Sequence, residues 1–290
     1  MRQKYERNEL MFVKGAKKLK TFIVVPFTKA VLAFGRGNDD IMAIMNGHFF
    51  SVALHRNVPV IIVIPTEDYG TYLRKVKIDI PNKVLILLSG IGEKYDIWTE
   101  KDDLEKRARE TRTIIVLVEQ YNSFAVDVGI GRDYFTYFHS ELFAMLEQVL
   151  HSSLYVKKYY ITGISLGGYN ALKIGLCSNK VSEVFSFSGI INPYGHIKEE
   201  KYLLYNKGYL DSFFDTEKLS ALPLQKEHRM VRYYLFCGTD AEYYEENANI
   251  CRKMHRMGYE VKFIPMKGQK HNWKCWQAAY EIMWKQIERE

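Results

Sequence analysis

The chain has 290 residues, of which 47% are hydrophobic and 26% charged, and its net charge is +7. This composition suits a globular protein with a sizeable core and excludes disordered and fibrous classes. The charge is confined to one end: residues 1–36 carry nine basic and two acidic side chains, whereas the rest of the chain carries 32 of each. Residues 37–290 therefore have no net charge, so a nucleic-acid partner is not expected.

Residues 1–44 are predicted to be a basic leader whose place in the native protein is in question, because Met42 and Met45 offer alternative starts. Pro26 and Lys29 interrupt its apolar run, which disfavours a secretory signal. No other apolar stretch is long enough to span a bilayer, so a membrane partner is not expected. The four cysteines lie far apart without a C-x-x-C pair. They indicate free thiols in a reducing, cytoplasmic compartment rather than a metal site.

The remaining chain, residues 45–290, is predicted to be a single α/β domain. Its elements follow in this order: strand 58–65, strand 83–92 running into a glycine turn, helix 103–110, strand 113–119, helix 133–150, strand 158–164, helix 166–177, strand 183–189, an irregular region 191–230, strand 232–237, helix 244–257 with Gly258 at its end, strand 260–265 and helix 275–287. Buried strands alternating with helices indicate a mainly parallel central sheet with helices on both faces. The functional site of such a sheet lies at the carboxyl ends of its strands.

The motif G-x-S-x-G occurs between a predicted strand and a predicted helix, with Ser165 at its centre. In that context the glycines relieve crowding in a sharp turn and the serine becomes an exposed nucleophile. The alternative is a glycine-rich turn in which Ser165 only caps the helix. A serine nucleophile needs a base, and His271 lies after the last strand and before the last helix, where a loop can reach the sheet edge. The other seven histidines are interpreted as surface or core residues.

The third member of the predicted triad is a carboxylate in the loop after strand 232–237. Asp240 and Glu242 both lie there, and either could orient the imidazole. The oxyanion of the tetrahedral intermediate needs backbone N–H donors, which we assign to Leu166 and to Ile91 in the glycine turn. This chemistry needs no cofactor and no metal.

These residues resemble the esterase D-like branch of the α/β-hydrolases, in particular bacterial tributyrin-type short-chain carboxylesterases. The resemblance covers roughly residues 47–290 and rests on "LILLSGIGEKYDIW", "DYFTYFHSELFAML", "ITGISLGGYNALKIGL" and "KGQKHNWKCW" in combination. It implies an α/β-hydrolase fold, with Ser165 as nucleophile and His271 as base.

Two departures from the family pattern affect the site. Ser89-Gly90 stands where the family usually has His-Gly, and Ala241 stands where it usually has the triad aspartate. Asp240 is therefore our first candidate for the acid, one residue early, with Glu242 as the alternative.

The substrate pocket is expected to involve Trp98, Ser89 and Gly90, and the aromatic-rich segment 191–230 to form a cap or pocket wall. The predicted function is a serine carboxylesterase for short-chain acyl esters. Its substrate is a small molecule, and a homo-oligomer is compatible with the sequence. Within the same scaffold the alternatives are an S-formylglutathione hydrolase, a carbohydrate acetyl or feruloyl esterase, or an acyltransferase. From other classes, the alternatives are a non-catalytic binding protein on a hydrolase fold and a nucleic-acid binder that uses the leader.

Overall fold

The computed structural model describes residues 29–33, 40–68, 82–150, 156–193, 222–225 and 230–289. Within them one sheet of nine strands runs in the order β1-β2-β3-β5-β4-β6-β7-β8-β9. The strands are β1 (Lys29–Ala33), β2 (Asp40–Ser51), β3 (Arg56–Asp68), β4 (Lys83–Leu88), β5 (Thr113–Val118), β6 (Lys158–Ile164), β7 (Val181–Phe187), β8 (Arg232–Gly238) and β9 (Glu260–Met266).

Five α-helices of eight or more residues connect the strands in the described part of the chain. They are α1 (Leu104–Thr111), α2 (Leu142–Leu150), α3 (Leu166–Cys177), α4 (Tyr244–Arg256) and α5 (Trp273–Glu288). A 3₁₀ turn covers Ile97–Glu100, and a helical turn (Tyr134–Thr136) followed by a π-helical turn (Tyr137–Glu141) leads into α2. None of the described helices has the length and apolar character needed to cross a membrane.

The predicted mainly parallel sheet with helices on both faces is confirmed. Alternate residues of a central strand, β4, pack against the helices of opposite faces. Val84, Ile86 and Leu88 of β4 pack into the core beneath α2, α3 and α4. Leu85 and Leu87 pack into the opposite core beneath α1 and α5. Since both faces of β4 are covered, its sequence is continuously apolar rather than alternating.

The first three strands differ from the rest, because β1, β2 and β3 are antiparallel to their neighbours. The boundary predicted at residue 44 falls inside β2, and β1 lies wholly within the predicted leader. Residues 1–28 and 34–39 lie outside the described residues. So does most of the predicted cap segment 191–230, of which only residues 191–193, 222–225 and 230 are described.

Two pairs of neighbouring strands position the site. β4 and β6 are parallel with Leu88 opposite Gly163, so the turn after β4 emerges beside the turn after β6. At the far side of the sheet β8 and β9 are parallel with Gly238 opposite Met266. The loops that carry the predicted serine, oxyanion donors, acid and base therefore leave the sheet at its carboxyl edge.

Candidate active site

Ser165 occupies a sharp turn between β6 and α3 with φ of 54° and ψ of −115°. A positive φ is strained for a residue with a side chain and is typical of functional turns. Hydrogen bonds hold the backbone there, since the Ser165 N–H donates to Phe187 O at 2.8 Å and its carbonyl accepts from Tyr169 N at 3.1 Å. The side chain makes no capping hydrogen bond to the helix. The structure therefore does not use Ser165 as a simple helix cap.

The two glycines of the motif are required by close backbone contacts. A Cβ atom on Gly163 would lie under 3.0 Å from the backbone of Gly167, and one on Gly167 would lie under 3.0 Å from the carbonyl oxygen of Ser89. Strand, helix and neighbouring turn meet at this point without space for a methyl group. The spacing G-x-S-x-G thus follows from steric exclusion on both sides of the serine.

His271 lies in the loop between β9 and α5, with its Nε2 atom 3.0 Å from Ser165 Oγ. This distance is within the range for a base that accepts the proton of a nucleophile. Two aromatic rings hold the imidazole edge to face, Tyr243 at 4.6 Å and Trp276 at 5.0 Å between centroids. Asn272 begins the following helix, because its side chain accepts a hydrogen bond from Cys275 N. The predicted nucleophile and base are brought together by this loop.

The candidate acids lie in residues 239–243, which we call the acid loop. Backbone hydrogen bonds tie it to the end of β9, where Thr239 N donates to Met266 O, and to the histidine loop, residues 267–272, where Asp240 N donates to Gln269 O. The Asp240 side chain is exposed and its Oδ1 accepts from the Thr239 hydroxyl at 2.9 Å. Glu242 is also exposed, whereas Ala241 between them is buried. The choice between Asp240 and Glu242 stays a prediction.

The predicted oxyanion donor Ile91 lies in residues 89–92, which we call the oxyanion turn. Gly90 N donates to Glu93 Oε2 at 2.8 Å and Gly92 N donates to Asn122 Oδ1 at 2.9 Å. Among the hydrogen bonds of the described residues, none uses the N–H of Ile91. Leu166 is the first residue of α3, so its N–H has no acceptor within the helix. Both amides are available for an anion, and the helix dipole favours one at this end.

A chain of buried amides beneath the oxyanion turn was not predicted from the sequence. Gln120 Nε2 donates to the carbonyl of Ser89, and Asn170 Nδ2 donates to Gln120 Oε1 at 3.0 Å. Gln120 and Asn170 are fully buried, and Ser89 nearly so. This chain links the nucleophile helix to the oxyanion turn. The available signal was the presence of two amides where strand and helix sequences are otherwise apolar.

Of the three predicted pocket residues, Ser89 and Gly90 form part of the oxyanion turn, but Trp98 lies in the core. Trp98 is 0% exposed, stacks on Tyr280 at 5.0 Å and donates its indole N–H to Leu88 O at 3.1 Å. It supports the end of β4 and presents no face to solvent. Trp98 can lie inside the core because its indole N–H has a hydrogen-bond acceptor there, the carbonyl of Leu88.

Comparisons with known proteins identify the family of the chain and several relatives. The Esterase family model, described as "Putative esterase", matches residues 51–285. The "Acetyl esterase" of Caldicellulosiruptor saccharolyticus is 27% identical over 252 residues, which are 81% of this chain and 94% of the relative.

Solved structures share the fold at lower identity. The fluorophosphonate-binding serine hydrolase F of Staphylococcus aureus superimposes with a TM-score of 0.68 at 16% identity, over 86% of this chain and 99% of that one. An S-formylglutathione hydrolase of the same organism gives 0.63 at 16% identity, over 89% of this chain and 99% of that one. A ferulic acid esterase gives 0.63 at 19% identity, over 87% and 99%. The chain belongs to the Esterase family, has the α/β-hydrolase fold and is a hydrolase of carboxylic ester bonds.

Proposed function

We propose that this esterase hydrolyses short-chain acyl esters, acetyl esters in particular, through an acyl-enzyme on Ser165. The observation that carries the proposal is the 3.0 Å contact between Ser165 Oγ and His271 Nε2 at a strained turn. The acetyl preference is supported by the relative of 27% identity, whose name is acetyl esterase.

The reaction begins when His271 Nε2 accepts the hydroxyl proton and Ser165 Oγ attacks the ester carbonyl. The N–H groups of Ile91 and Leu166 bind the oxyanion that forms. As this intermediate collapses, His271 donates the proton to the departing alcohol and the acyl group stays on Ser165. Water then repeats the sequence, with His271 removing its proton, and the acid leaves. An acid-loop carboxylate, Asp240 in our assignment, stabilises the imidazolium.

Hydrolysis of p-nitrophenyl acetate, butyrate and octanoate by the full chain and by Ser165→Ala tests this proposal. We expect the acetate and butyrate to be preferred, and Ser165→Ala to lose about 10⁴-fold or more of turnover, because no other group accepts the acyl chain. Ser182→Ala, a half-buried serine on β7, is the matched control and should keep wild-type turnover. Activity surviving in Ser165→Ala would contradict the mechanism.

The same assay separates the alternatives on this scaffold. S-formylglutathione and methyl ferulate would each be preferred over acetyl esters if this chain shared the activity in the names of its structural neighbours. Added sugar alcohols would divert the acyl group from water if it were an acyltransferase. A wild-type chain inactive on every ester would favour a binding protein.

The cellular setting is also a proposal. Cys237, Cys251 and Cys275 are buried free thiols, and burial raises the pKa of the Cys237 thiol to about 12. Unreactive buried thiols of this kind support a reducing, cytoplasmic location. A homo-oligomer remains compatible with the chain, and light scattering of the purified protein would test it.

A further inference from the structure

Glu93 follows the oxyanion turn and makes two hydrogen bonds that point in different directions. Its Oε2 atom accepts from Gly90 N at 2.8 Å, and its Oε1 atom accepts from the indole Nε1 of Trp273 at 3.0 Å. The two donors are 183 positions apart in the chain, at 90 and 273. One carboxylate therefore joins the turn after β4 to the segment after β9.

On the oxyanion side, the bond to Gly90 fixes the peptide that precedes the proposed donor. The Glu93 carboxylate packs so closely that a Cβ atom on Gly90 would lie 2.7 Å from its Oε2 atom. Together with the bond from Gly92 to Asn122, this contact occupies the amides on both sides of Ile91. The Ile91 N–H is left as the donor of the turn, and its direction depends on the peptide that Glu93 holds.

On the base side, Trp273 is two residues after His271 and is the first residue of α5. Its ring packs edge to face on Trp276 at 5.4 Å, and Trp276 in turn packs edge to face on His271 at 5.0 Å. The bond from Trp273 to Glu93 therefore fixes the start of α5 and, through the stacked rings, the position of the imidazole. Glu93 is half-buried, so water competes only partly for this carboxylate.

We infer that Glu93 is a positioning residue that sets the oxyanion donor of Ile91 and the base His271 at a fixed separation. This role rests on the proposed function, and Glu93 itself does not touch the substrate. An error of about 1 Å in such an alignment costs roughly 10²-fold in rate. Because the alignment is needed in the transition state rather than for substrate binding, its loss lowers kcat and leaves KM nearly unchanged.

The test compares Glu93→Ala, Glu93→Gln, Trp273→Phe and the double variant Glu93→Ala/Trp273→Phe with wild type. Glu93→Ala removes both bonds and should lower kcat by about 10- to 100-fold. Glutamine keeps a single acceptor oxygen, so Glu93→Gln turns its NH₂ toward one of the two N–H donors and loses that bond. Trp273→Phe keeps an aromatic ring but removes the indole N–H together with the second ring of the indole. Glu100→Gln, an exposed glutamate in the nearby 3₁₀ turn, is the matched control for a lost negative charge.

Three readouts separate positioning from a merely structural role. First, kcat for p-nitrophenyl acetate should fall in the Glu93 and Trp273 variants, with KM within about twofold of wild type. Second, the inhibition constant of a phenylboronic acid, which forms a tetrahedral adduct on the serine, should rise in parallel with the loss in kcat/KM. Third, the double variant should lose less than the product of the two single losses, because Glu93→Ala already breaks the bond that Trp273→Phe removes.

A Glu93→Ala enzyme with kcat within twofold of wild type would overturn the inference, as would a loss confined to KM or a double variant with fully multiplicative losses. If Glu93→Ala fails to fold, Trp273→Phe decides by the same criteria. Ser165→Ala measured in parallel separates this inference from the proposed function. An inactive Ser165→Ala beside unaffected Glu93 variants rejects only the positioning role, whereas an active Ser165→Ala rejects the mechanism itself.

Discussion

The nucleophile side and the acid side of this site are built in contrasting ways. Ser165 and the oxyanion turn lie at the ends of two central strands, where backbone atoms are in close contact and buried side-chain amides are hydrogen-bonded to each other. The candidate acids instead lie on the acid loop, exposed and joined to the histidine loop through backbone hydrogen bonds. Steric exclusion leaves the nucleophile side a single backbone arrangement, whereas the two candidate carboxylates of the acid loop lie where solvent reaches them. The sequence therefore predicts a single nucleophile, Ser165, but leaves two candidates for the acid.

Apart from the loss of Ser165 itself, the largest expected effect lies on the acid side. We expect Asp240→Asn to lower kcat about 10⁴-fold, because an amide cannot stabilise the imidazolium of His271 and favours the wrong tautomer. Glu242→Gln should stay within about tenfold of wild type, since its carboxylate is only the alternative acid. Steady-state hydrolysis of p-nitrophenyl acetate measures both. The reverse order would assign the acid to Glu242, and two near-wild-type variants would show that neither loop carboxylate serves.

A smaller effect is expected at the crowded turn. Gly167→Ala places a methyl group against the carbonyl oxygen of Ser89 and should shift both the nucleophile and the oxyanion turn. We expect a loss of about 10²-fold in kcat and about 1–3 kcal/mol in the free energy of unfolding. Gly175→Ala is the control. Gly175 lies on the same helix, about two turns further from Ser165, and its added methyl group would clash with the side chain of Val184 on β7. It should lose stability but not turnover, as measured by urea unfolding and by activity per folded molecule.

The smallest effect on turnover is expected at the far end of α3. Lys173 is buried, its Nζ donates to Phe124 O at 3.2 Å, and burial lowers the pKa of its ammonium to about 8. The unfolded chain holds that proton up to a pKa of about 10.4, so between pH 8 and pH 10.4 the unfolded state binds more protons and the stability of the wild type rises with pH. Below pH 8 both states are protonated and the cost of burying the charge is fully present.

Lys173→Met removes that cost, so the variant should be the more stable below pH 8. Its advantage over wild type should shrink by on the order of 3 kcal/mol as the pH rises from 8 to 10.4. Urea unfolding at a series of pH values measures the difference, and Lys253→Met, an exposed lysine on α4, controls for the lost positive charge. Turnover should remain at the wild-type level. A difference that does not change with pH would contradict the buried ammonium.

The sequence alone predicts the bounds of elements that are determined by neighbouring residues in the chain. The strand 158–164 and the helix 166–177 have the predicted bounds, because an apolar run, a glycine pair and a helix-forming run follow one another there. Gly258, with φ of 89°, follows the end of α4 as predicted. The predicted helix 133–150 is instead interrupted by a π-helical turn. Glu141 in that turn accepts hydrogen bonds from Ser51, the last residue of β2, and from Ala53 in the turn that follows, a contact that hydrophobic periodicity cannot reveal.

Within the site, too, the sequence predicts what depends on neighbouring residues and misses contacts between distant segments. The serine and histidine were predicted because each lies at a defined place between a strand and a helix. Gln120, Asn170 and Glu93 were missed because their role exists only where segments distant in the chain meet. Trp98 was assigned to the pocket from its place in the resemblance, yet its indole N–H bonds to a core carbonyl. Buried polar side chains have no periodic pattern, so their partners become visible only in the folded structure.

The buried chain from Asn170 through Gln120 to Ser89 has a consequence for inactivation by heat. It crosses from α3 to the ends of β5 and β4, so the oxyanion turn cannot open without exposing amides that water does not reach in the native state. Local melting of this turn therefore costs about 1–3 kcal/mol for each buried polar group that it leaves unpaired, which favours melting together with the surrounding sheet. A partly heated sample should contain fully active and fully unfolded molecules, and its residual activity should count the folded fraction directly.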